Sequence, residues 1–344
     1  MKKIICICMV IVINTFYLIA ANNSYIELGN ISWLRDYNKA LEKAKKDNKP
    51  VLILFQEVPG CSTCQNYGLR VLSHPLLVDA AENLFIPLVI FNNRQGTDAR
   101  ILNLFHEPAW NNPVVRIVDS NGKEIIKRLA NDYTASGFSG AMIKALTVYG
   151  KKIPFYLKLL HTELLAQDST EEAVFSMYCF WQGEVDIGSL DGVIKTRAGY
   201  IEGREAVEVE FDNRVISFKR LLKQARNARC ADRIYPSNPD QEKTVNTFSI
   251  PSGKEDPGQF RQDIGNTKYY LSHTSYKYIP MTELQQIYVN RVLSKRQDPN
   301  GILSPRQKQI LKYIKSHPKN KWKNQIGLDD IRTAWDNVWS QVIR

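Results

Sequence analysis

"PVLILFQEVPGCSTC", residues 50–64, is the stretch on which the first half of the fold turns. Val51 to Phe55 is an apolar run with no charge and no glycine, the composition of a strand buried on both faces. The turn residues Pro59-Gly60 follow, and then Cys61-Ser62-Thr63-Cys64. Residues 63–72 are expected to form a helix. Unpaired N–H groups at its start would lie beside Cys61 and favour a thiolate there. A Cys-x-x-Cys pair between a buried strand and a helix is a redox context. As a metal site it would be half a zinc centre without a second pair. His74 and His106 lack ligand spacing, so no metal is expected.

The pattern continues outward on both sides. "NISWLRDYNKALEKAKKDNK", residues 30–49, places Trp33, Tyr37, Leu41 and Ala44 on one helical stripe, and Asn48-Lys49-Pro50 ends it. "LFIPLVIF", residues 84–91, predicts a second buried strand, parallel to the first. "NNPVVRIVDSNGKEIIKRLA", residues 111–130, predicts a hairpin led by a proline. "SGFSGAMIKALTVYG", residues 136–150, reads as a closing helix. "PFYLKLLHTELLAQ", residues 154–167, reads as a helix lying across a junction between domains. Alternating helix and strand make this half α/β.

The second half reads as α+β. Its strands are "EAVFSMY" (172–178), "GVIKTRAGY" (192–200), "EAVEVEFD" (205–212) and "IYP" (234–236). One helix follows Cys179 and another covers residues 218–228. Residues 246–266 read as loop from their Pro and Gly content. Beyond residue 280 the chain turns helical. Ser304-Pro305 forms an N-cap and first-turn proline, and Ile331, Trp335, Val338 and Ile343 mark the buried face of a last helix.

Two resemblances organise these elements. Residues 31 to about 150 resemble a thioredoxin-like fold, in which Asn112-Pro113 stands where that fold carries a cis-proline facing the redox pair. "AVFSMYCFWQGEV", "LDGVIKTRAGYIEG", "GREAVEVEFDNRVISFKRLL" and "IYPSNPDQ", within residues 173–241, resemble the catalytic core of peptide-methionine (S)-S-oxide reductases. Together they imply a thioredoxin-like domain (22–150), a connecting helix (151–170) and a ferredoxin-like α+β domain of the methionine sulfoxide reductase A type (171–280). A helical extension (281–344) follows.

The second resemblance implies roles. Cys179 would attack the sulfoxide sulfur, expel the thioether and become a sulfenic acid. Glu205 would protonate the departing oxygen. Strand alternation puts it on the face opposite Glu208 and Glu210. Phe180 and Trp181 would hold the S-methyl group, with Tyr235 also binding substrate. Read from residues alone, Cys179 is sooner a buried structural cysteine beside core aromatics, and the matching strands around it are what favour a redox role. The sequence also departs from that family. Met177-Tyr178 replaces small residues before the nucleophile. Only "IEG" spans the place of a long loop that supplies a tyrosine to the sulfoxide oxygen. "ARCADR" sets Cys230 close to where a second tyrosine would stand. Cys230 is then a resolving thiol for the Cys179 sulfenic acid, or the pocket has been rebuilt for another sulfur substrate.

Composition and charge narrow the setting. The 344 residues are 44% hydrophobic and 24% charged, ordinary values for a globular chain. Met1-Lys2-Lys3 and the apolar residues 4–21 read as a secretory signal, with an uncleaved anchor as the other reading. Four cysteines remain beyond it: Cys61, Cys64, Cys179 and Cys230. They allow three connectivities. Pairing within each domain selects Cys61–Cys64 and Cys179–Cys230. The net charge of +11 gathers toward the C-terminus and reads first as a solvated basic surface. Export argues against nucleic acid. Membrane contact would come only through an uncleaved N-terminus or that basic surface.

The sequence therefore points to an exported thiol oxidoreductase acting on oxidised proteins or peptides. Its second domain would reduce methionine sulfoxide, and its first would recycle it within the same chain. An external thiol–disulfide reductant would supply electrons. No nucleotide-binding loop is visible, so no cofactor is expected. Two rivals stand beside this reading. One is a general disulfide reductase or isomerase whose second domain binds substrate. The other is a non-enzymatic interaction protein on a degenerate reductase domain.

Overall fold

A computed structural model describes residues 25–327 and 330–342. The expected signal segment, with Cys6 and Cys8, and Ile343 lie outside the described residues.

The first helix, α1 (Tyr37–Asp47), starts late because Asp36 takes the N-cap, its side chain accepting the Lys39 N–H. The expected stripe is thus shortened. Trp33 lies ahead of the helix, and Leu34 is drawn into a bridge with Leu88. Asn48, at φ 50°, closes α1 and turns the chain into β1 (Val51–Gln56), buried along its whole length. Then come α2 (Ser62–Arg70), α3 (Pro75–Leu84), β2 (Ile86–Phe91), α4 (Thr97–Leu104) and β3 (Val114–Val118). The sheet runs β2-β1-β3, with β2 parallel and β3 antiparallel to β1. The sequence reading missed α3 and α4. The hairpin expected over 111–130 forms only in part. Its return is held to β3 by the isolated bridges Val118–Glu124 and Val115–Leu129. Two helices, α5 (Ala135–Val148) and α6 (Phe155–Ala166), complete this half.

The second sheet is built from β4 (Thr170–Ser176), α7 (Phe180–Gly188), β5 (Val193–Ile201), β6 (Arg204–Asp212), α8 (Phe218–Asn227) and β7 (Arg233–Pro236). Then follow α9 (Pro239–Thr247) and the two-residue β8 (Arg261–Gln262). Strand order is β7-β4-β6-β5-β8, every pair antiparallel. This is the βαββαβ order of a ferredoxin-like fold, as expected. Phe175, Val207, Val209 and Phe211 face the core shared with α8, whose Phe218 ring meets Phe175 and Phe211. Val174, Ala206 and Tyr235 form a separate cluster on the other face.

The last segment holds α10 (Tyr269–Ser272), α11 (Glu283–Ser294), α12 (Pro305–Ser316) and α13 (Ile331–Val342). Capping boxes open α11 (Thr282, Gln285) and α12 (Ser304, Gln307), which makes the Ser304-Pro305 helix start an expectation met. Trp335 and Val338 are buried, and Ile331 packs against the core.

These helices join the two sheets. The Arg306 N–H donates to Asp79 at 3.0 Å, and its guanidinium pairs with Glu82. Arg332 donates to the carbonyls of Leu69 (3.2 Å) and Arg70 (2.7 Å), at the far end of α2 from Cys61. The helix α6 packs against both α3 and α11. Its Glu163 accepts the Leu284 N–H at 3.1 Å, and burial pushes its pKa up to about 7. A cavity of about 600 Å³ at this junction is lined by Arg70, His74, Glu163, Met281 and Arg332. One apolar core runs from Leu28 to Val338 through both sheets.

A buried ion pair ties the second sheet to its helices. Lys268 Nζ donates to Glu184 at 2.9 Å, to Thr196 Oγ1 at 3.0 Å and to the Thr196 carbonyl. Glu184 also accepts from the Lys268 N–H and from both threonine hydroxyls, Thr196 and Thr267. Losing one partner leaves the other charge buried and alone, at a cost of about 3–5 kcal/mol. Lys268→Met should lower unfolding stability on that order in urea titration, and adding Glu184→Leu should restore much of it. An unchanged midpoint for the single variant would show that the pair contributes nothing.

Candidate active site

Two thiol centres are present, and each begins a helix. Cys61 is the N-cap of α2, exposed, with Sγ 3.7 Å from that of Cys64. The Cys64 N–H points at the Cys61 sulfur and holds its pKa below the ordinary thiol value, with Thr63 adding to the effect. Burial pushes Cys64 up to about 12, and the adjacent Cys61 adds to that. Cys64 donates to Asn112 Oδ1 at 2.7 Å, and the Asn112-Pro113 bond is cis. The expected neighbourhood of Pro113 is therefore present. A second cis bond, Val58-Pro59, was not expected. Nearby, Trp110 is 82% exposed. Glu57 was also missed. Its carboxylate and the two sulfurs lie within 4.8 Å of one another, one donor short of the four of a structural zinc site.

Cys179 is the N-cap of α7 and is half-buried. The strands β4 and β6 set its surroundings. The Met177 N–H bonds the Glu205 carbonyl at 3.0 Å, which brings Glu205 alongside the turn from strand to helix. Glu205 Oε2 then accepts the Phe180 N–H at 2.9 Å, so a carboxylate closes the first turn of α7 one residue from the thiol. Glu205 is half-buried and shares its face of β6 with Val207 and Val209, away from Glu208 and Glu210.

Aromatic rings close the space. Phe180 is buried, and the half-exposed Tyr200 ring meets it edge-on at 5.4 Å. Tyr200 is also the cross-strand partner of Glu205. Trp181 stacks on Tyr269 at 3.9 Å, and its buried Nε1 has no hydrogen-bond partner. Neither Tyr200 nor Tyr269 was read as a site residue. Tyr200 sits in the quoted "GY" and could have been found by pairing the two strands. Tyr269 comes from 64 residues beyond Glu205 in sequence, too far for any local signal.

Tyr235 is corrected. It lies on the other face of the sheet from Phe180, fully buried, with its hydroxyl donating to Glu202 at 3.3 Å. Alternation along β7 is the reason. Ile234 takes the core face, so Tyr235 must take the opposite one. Burial and the Glu202 charge push its pKa up to about 12.

Cys230 is buried, with Sγ 3.4 Å from the Ala228 carbonyl and 4.0 Å from Asp186 Oδ2. Burial pushes its pKa up to about 12, and Asp186, Asp232 and the nearby Cys179 add to the rise. All four described cysteines are free thiols.

Comparison with known proteins follows the same division. Residues 32–120 match the thioredoxin-like family. Peptide methionine sulfoxide reductase A5 of Oryza sativa subsp. japonica is 34% identical over 85 residues, 21% of this chain and 34% of that protein. The chain spans about a third of the length of this relative and of its Arabidopsis thaliana counterpart. Peptide methionine sulfoxide reductase MsrA of Pasteurella multocida is 26% identical over 194 residues, 49% of this chain and 99% of that protein. Among solved structures, a DsbH oxidoreductase aligns with TM-score 0.30 and 18% identity over 37% of this chain and 90% of that one. The chain thus joins a thioredoxin-like region to one similar to methionine sulfoxide reductases.

The first centre yields a direct test. Cys61 is exposed with a lowered pKa, whereas Cys64 is buried with a raised one. Iodoacetamide at mildly acidic pH should label Cys61 first, as mapped by peptide mass spectrometry. Prior labelling of Cys64 would reverse the roles of the two thiols.

Proposed function

We propose that the chain is an exported thiol oxidoreductase that reduces methionine-S-sulfoxide in peptides or proteins. The observation that carries this reading is the Glu205 carboxylate on the Phe180 N–H, one residue from Cys179 and walled by aromatic rings. A sulfoxide needs three things from such a site: a nucleophile for sulfur, a proton for oxygen and an apolar wall for the methyl group. Cys179 would supply the first. Glu205 would supply the second, moving a proton to oxygen as the S–O bond breaks. Phe180 and Trp181 would supply the third.

The Cys179 thiolate bonds to sulfur, the oxygen is transferred to Cys179, and the thioether leaves. The sulfenic acid then condenses with a second thiol, releasing water. Cys230 is that thiol in this reading, its sulfur lying 4.0 Å from Asp186 on the helix that Cys179 begins. The dithiol of the first domain would then reduce the resulting disulfide. Tyr200, beside Glu205 and half-exposed, would offer a hydrogen bond to oxygen where the shortened loop brings no tyrosine. Export rests on Met1-Lys2-Lys3 and the apolar run behind it. Among the described residues no helix is long and apolar enough to cross a membrane.

A second reading, a general disulfide reductase, draws on the opposed shifts of Cys61 and Cys64, which suit attack and resolution in disulfide exchange. Stoichiometric turnover separates the two. The pre-reduced protein should convert the S epimer of a methionine sulfoxide peptide and leave the R epimer. Reduction of disulfides alone would overturn the first reading.

The acid gives a second measurement. Glu205→Gln should slow sulfoxide reduction by about 10²–10⁴-fold, the usual weight of a general acid. Alkylation of Cys179 should still proceed. An unchanged rate would make Glu205 a helix cap and nothing more.

A further inference from the structure

The redox pair of the first domain has a third neighbour that thiol exchange does not use. Glu57 follows β1 directly, four residues before Cys61. The turn over residues 58–60 folds it back onto the start of α2. The Gly60 N–H donates to the buried Glu27 carboxylate at 2.8 Å, and the Val58 N–H donates to Asn93 Oδ1 at 3.3 Å. Gly60 is pressed against Cys64, where a Cβ would come within 2.7 Å of the Cys64 Cβ and 3.2 Å of its sulfur. Gln56 ties the end of β1 to α2 through the Cys64 carbonyl, at 3.3 Å. Strand end, turn and first helical turn therefore brace one another. Within this frame a Glu57 carboxylate oxygen, Cys61 Sγ and Cys64 Sγ converge to within 4.8 Å of one another.

Three features of this cluster point to a cation. Glu57 is half-buried, and among the described residues no hydrogen bond or ion pair engages its carboxylate. A carboxylate so near a thiol disfavours the thiolate that exchange needs, because like charges repel. A cation between them turns that repulsion into attraction. The two sulfurs lie 3.7 Å apart. With Zn–S bonds of about 2.3 Å, a tetrahedral ion sets two sulfurs about 3.8 Å apart, so the pair already has the spacing. The matching oxygen–sulfur edge is about 3.6 Å, and the unpaired carboxylate closes by about 1 Å at most to reach it. Two soft thiolates with one carboxylate suit zinc and not magnesium or calcium. Cysteines and histidines alone make half a zinc centre here, and Glu57 is the third ligand. Cys61 is exposed, so the fourth position opens to solvent, as in reactive zinc sites. Asn112 Oδ1 accepts from the Cys64 thiol at 2.7 Å, and its amide, turned over, can donate to the Cys64 thiolate instead.

We propose that the reduced first domain is a zinc site as well as a redox pair. Cys61 Sγ, Cys64 Sγ and one Glu57 oxygen bind a single Zn²⁺, and a water takes the fourth position. Each thiol gives its proton to solvent as its Zn–S bond forms, and no electron moves. The bound ion occupies both sulfurs, so disulfide exchange waits until it leaves. The Cys61–Cys64 disulfide offers no thiolate, so the oxidised form does not bind. Metal and disulfide are thus alternatives at one place, and zinc holds the pair reduced. The site depends on the dithiol and Glu57 alone, whatever the second domain acts on.

The test uses the full-length chain, reduced, stripped of metal by a chelator and kept from air. Titration with Zn²⁺ against a chromophoric chelator should give one ion per chain, and the oxidised chain should give none. Co²⁺ in place of zinc should show thiolate-to-cobalt charge-transfer and the visible bands of a tetrahedral site. Cys61→Ser and Cys64→Ser should each abolish binding at micromolar zinc. Cys179→Ser should keep it, and loss there would put the ion at the second centre and overturn the proposal. Glu57→Gln should weaken binding by at least about tenfold, the least that losing even an outer partner costs. Glu57→His, which restores a ligand, should recover it. Thermal unfolding of the metal-free variants reports whether each is folded. Equal zinc affinity in folded Glu57→Gln would overturn the three-ligand site, and slower disulfide exchange in that variant would then make Glu57 a proton acceptor for Cys64. Zinc should also slow iodoacetamide labelling of Cys61 in the native chain, and labelling at the metal-free rate would equally overturn the proposal.

Discussion

A single apolar core passes through both sheets, and this constraint governs the molecule. A sheet of three strands buries little surface by itself, and small cores carry little stability. Here the inner layers share α6 and the helices beyond residue 280 as common filling. Arg306 and Arg332 fasten those helices to α3 and α2. The two domains therefore behave as one packed body. The ends of α2 and α7 that point into this body are committed to packing, and only the opposite ends are left for chemistry.

Both opposite ends use the same device. Cys61 and Cys179 each occupy the N-cap of a helix that follows a strand. Unpaired N–H groups at a helix start attract negative charge. At α2 they are turned on sulfur, where the Cys64 N–H lowers the Cys61 pKa. At α7 the Phe180 N–H is taken by Glu205 instead. The first centre spends its donors on making a thiolate. The second commits one to fixing a carboxylate one residue from the thiol.

Much of this was legible in the chain. The apolar run Val51 to Phe55 ahead of the cysteine pair gave a buried strand and a helix start, because local pattern alone decides them. Glu205 could be separated from Glu208 and Glu210 by counting along one strand. The same counting, applied to Ile234, would have moved Tyr235 to the far face. Other features were hidden because they depend on contacts between distant segments. The stacking of Tyr269 on Trp181 and the Lys268–Glu184 pair join residues more than 80 positions apart. The helices α3 and α4 lie in stretches that the sequence reading left without an element.

The outward placement of the centres also bears on size. A thiol enclosed between domains would admit only what could diffuse into a cleft. Cys61 is in solvent, and Tyr178 projects beside Cys179 with nothing folded over it. Such mouths set no upper limit on the size of the body that either thiol can reach. Under the proposed function, a damaged residue on a folded neighbour would be presented without that neighbour unfolding, provided it sits on a protruding loop.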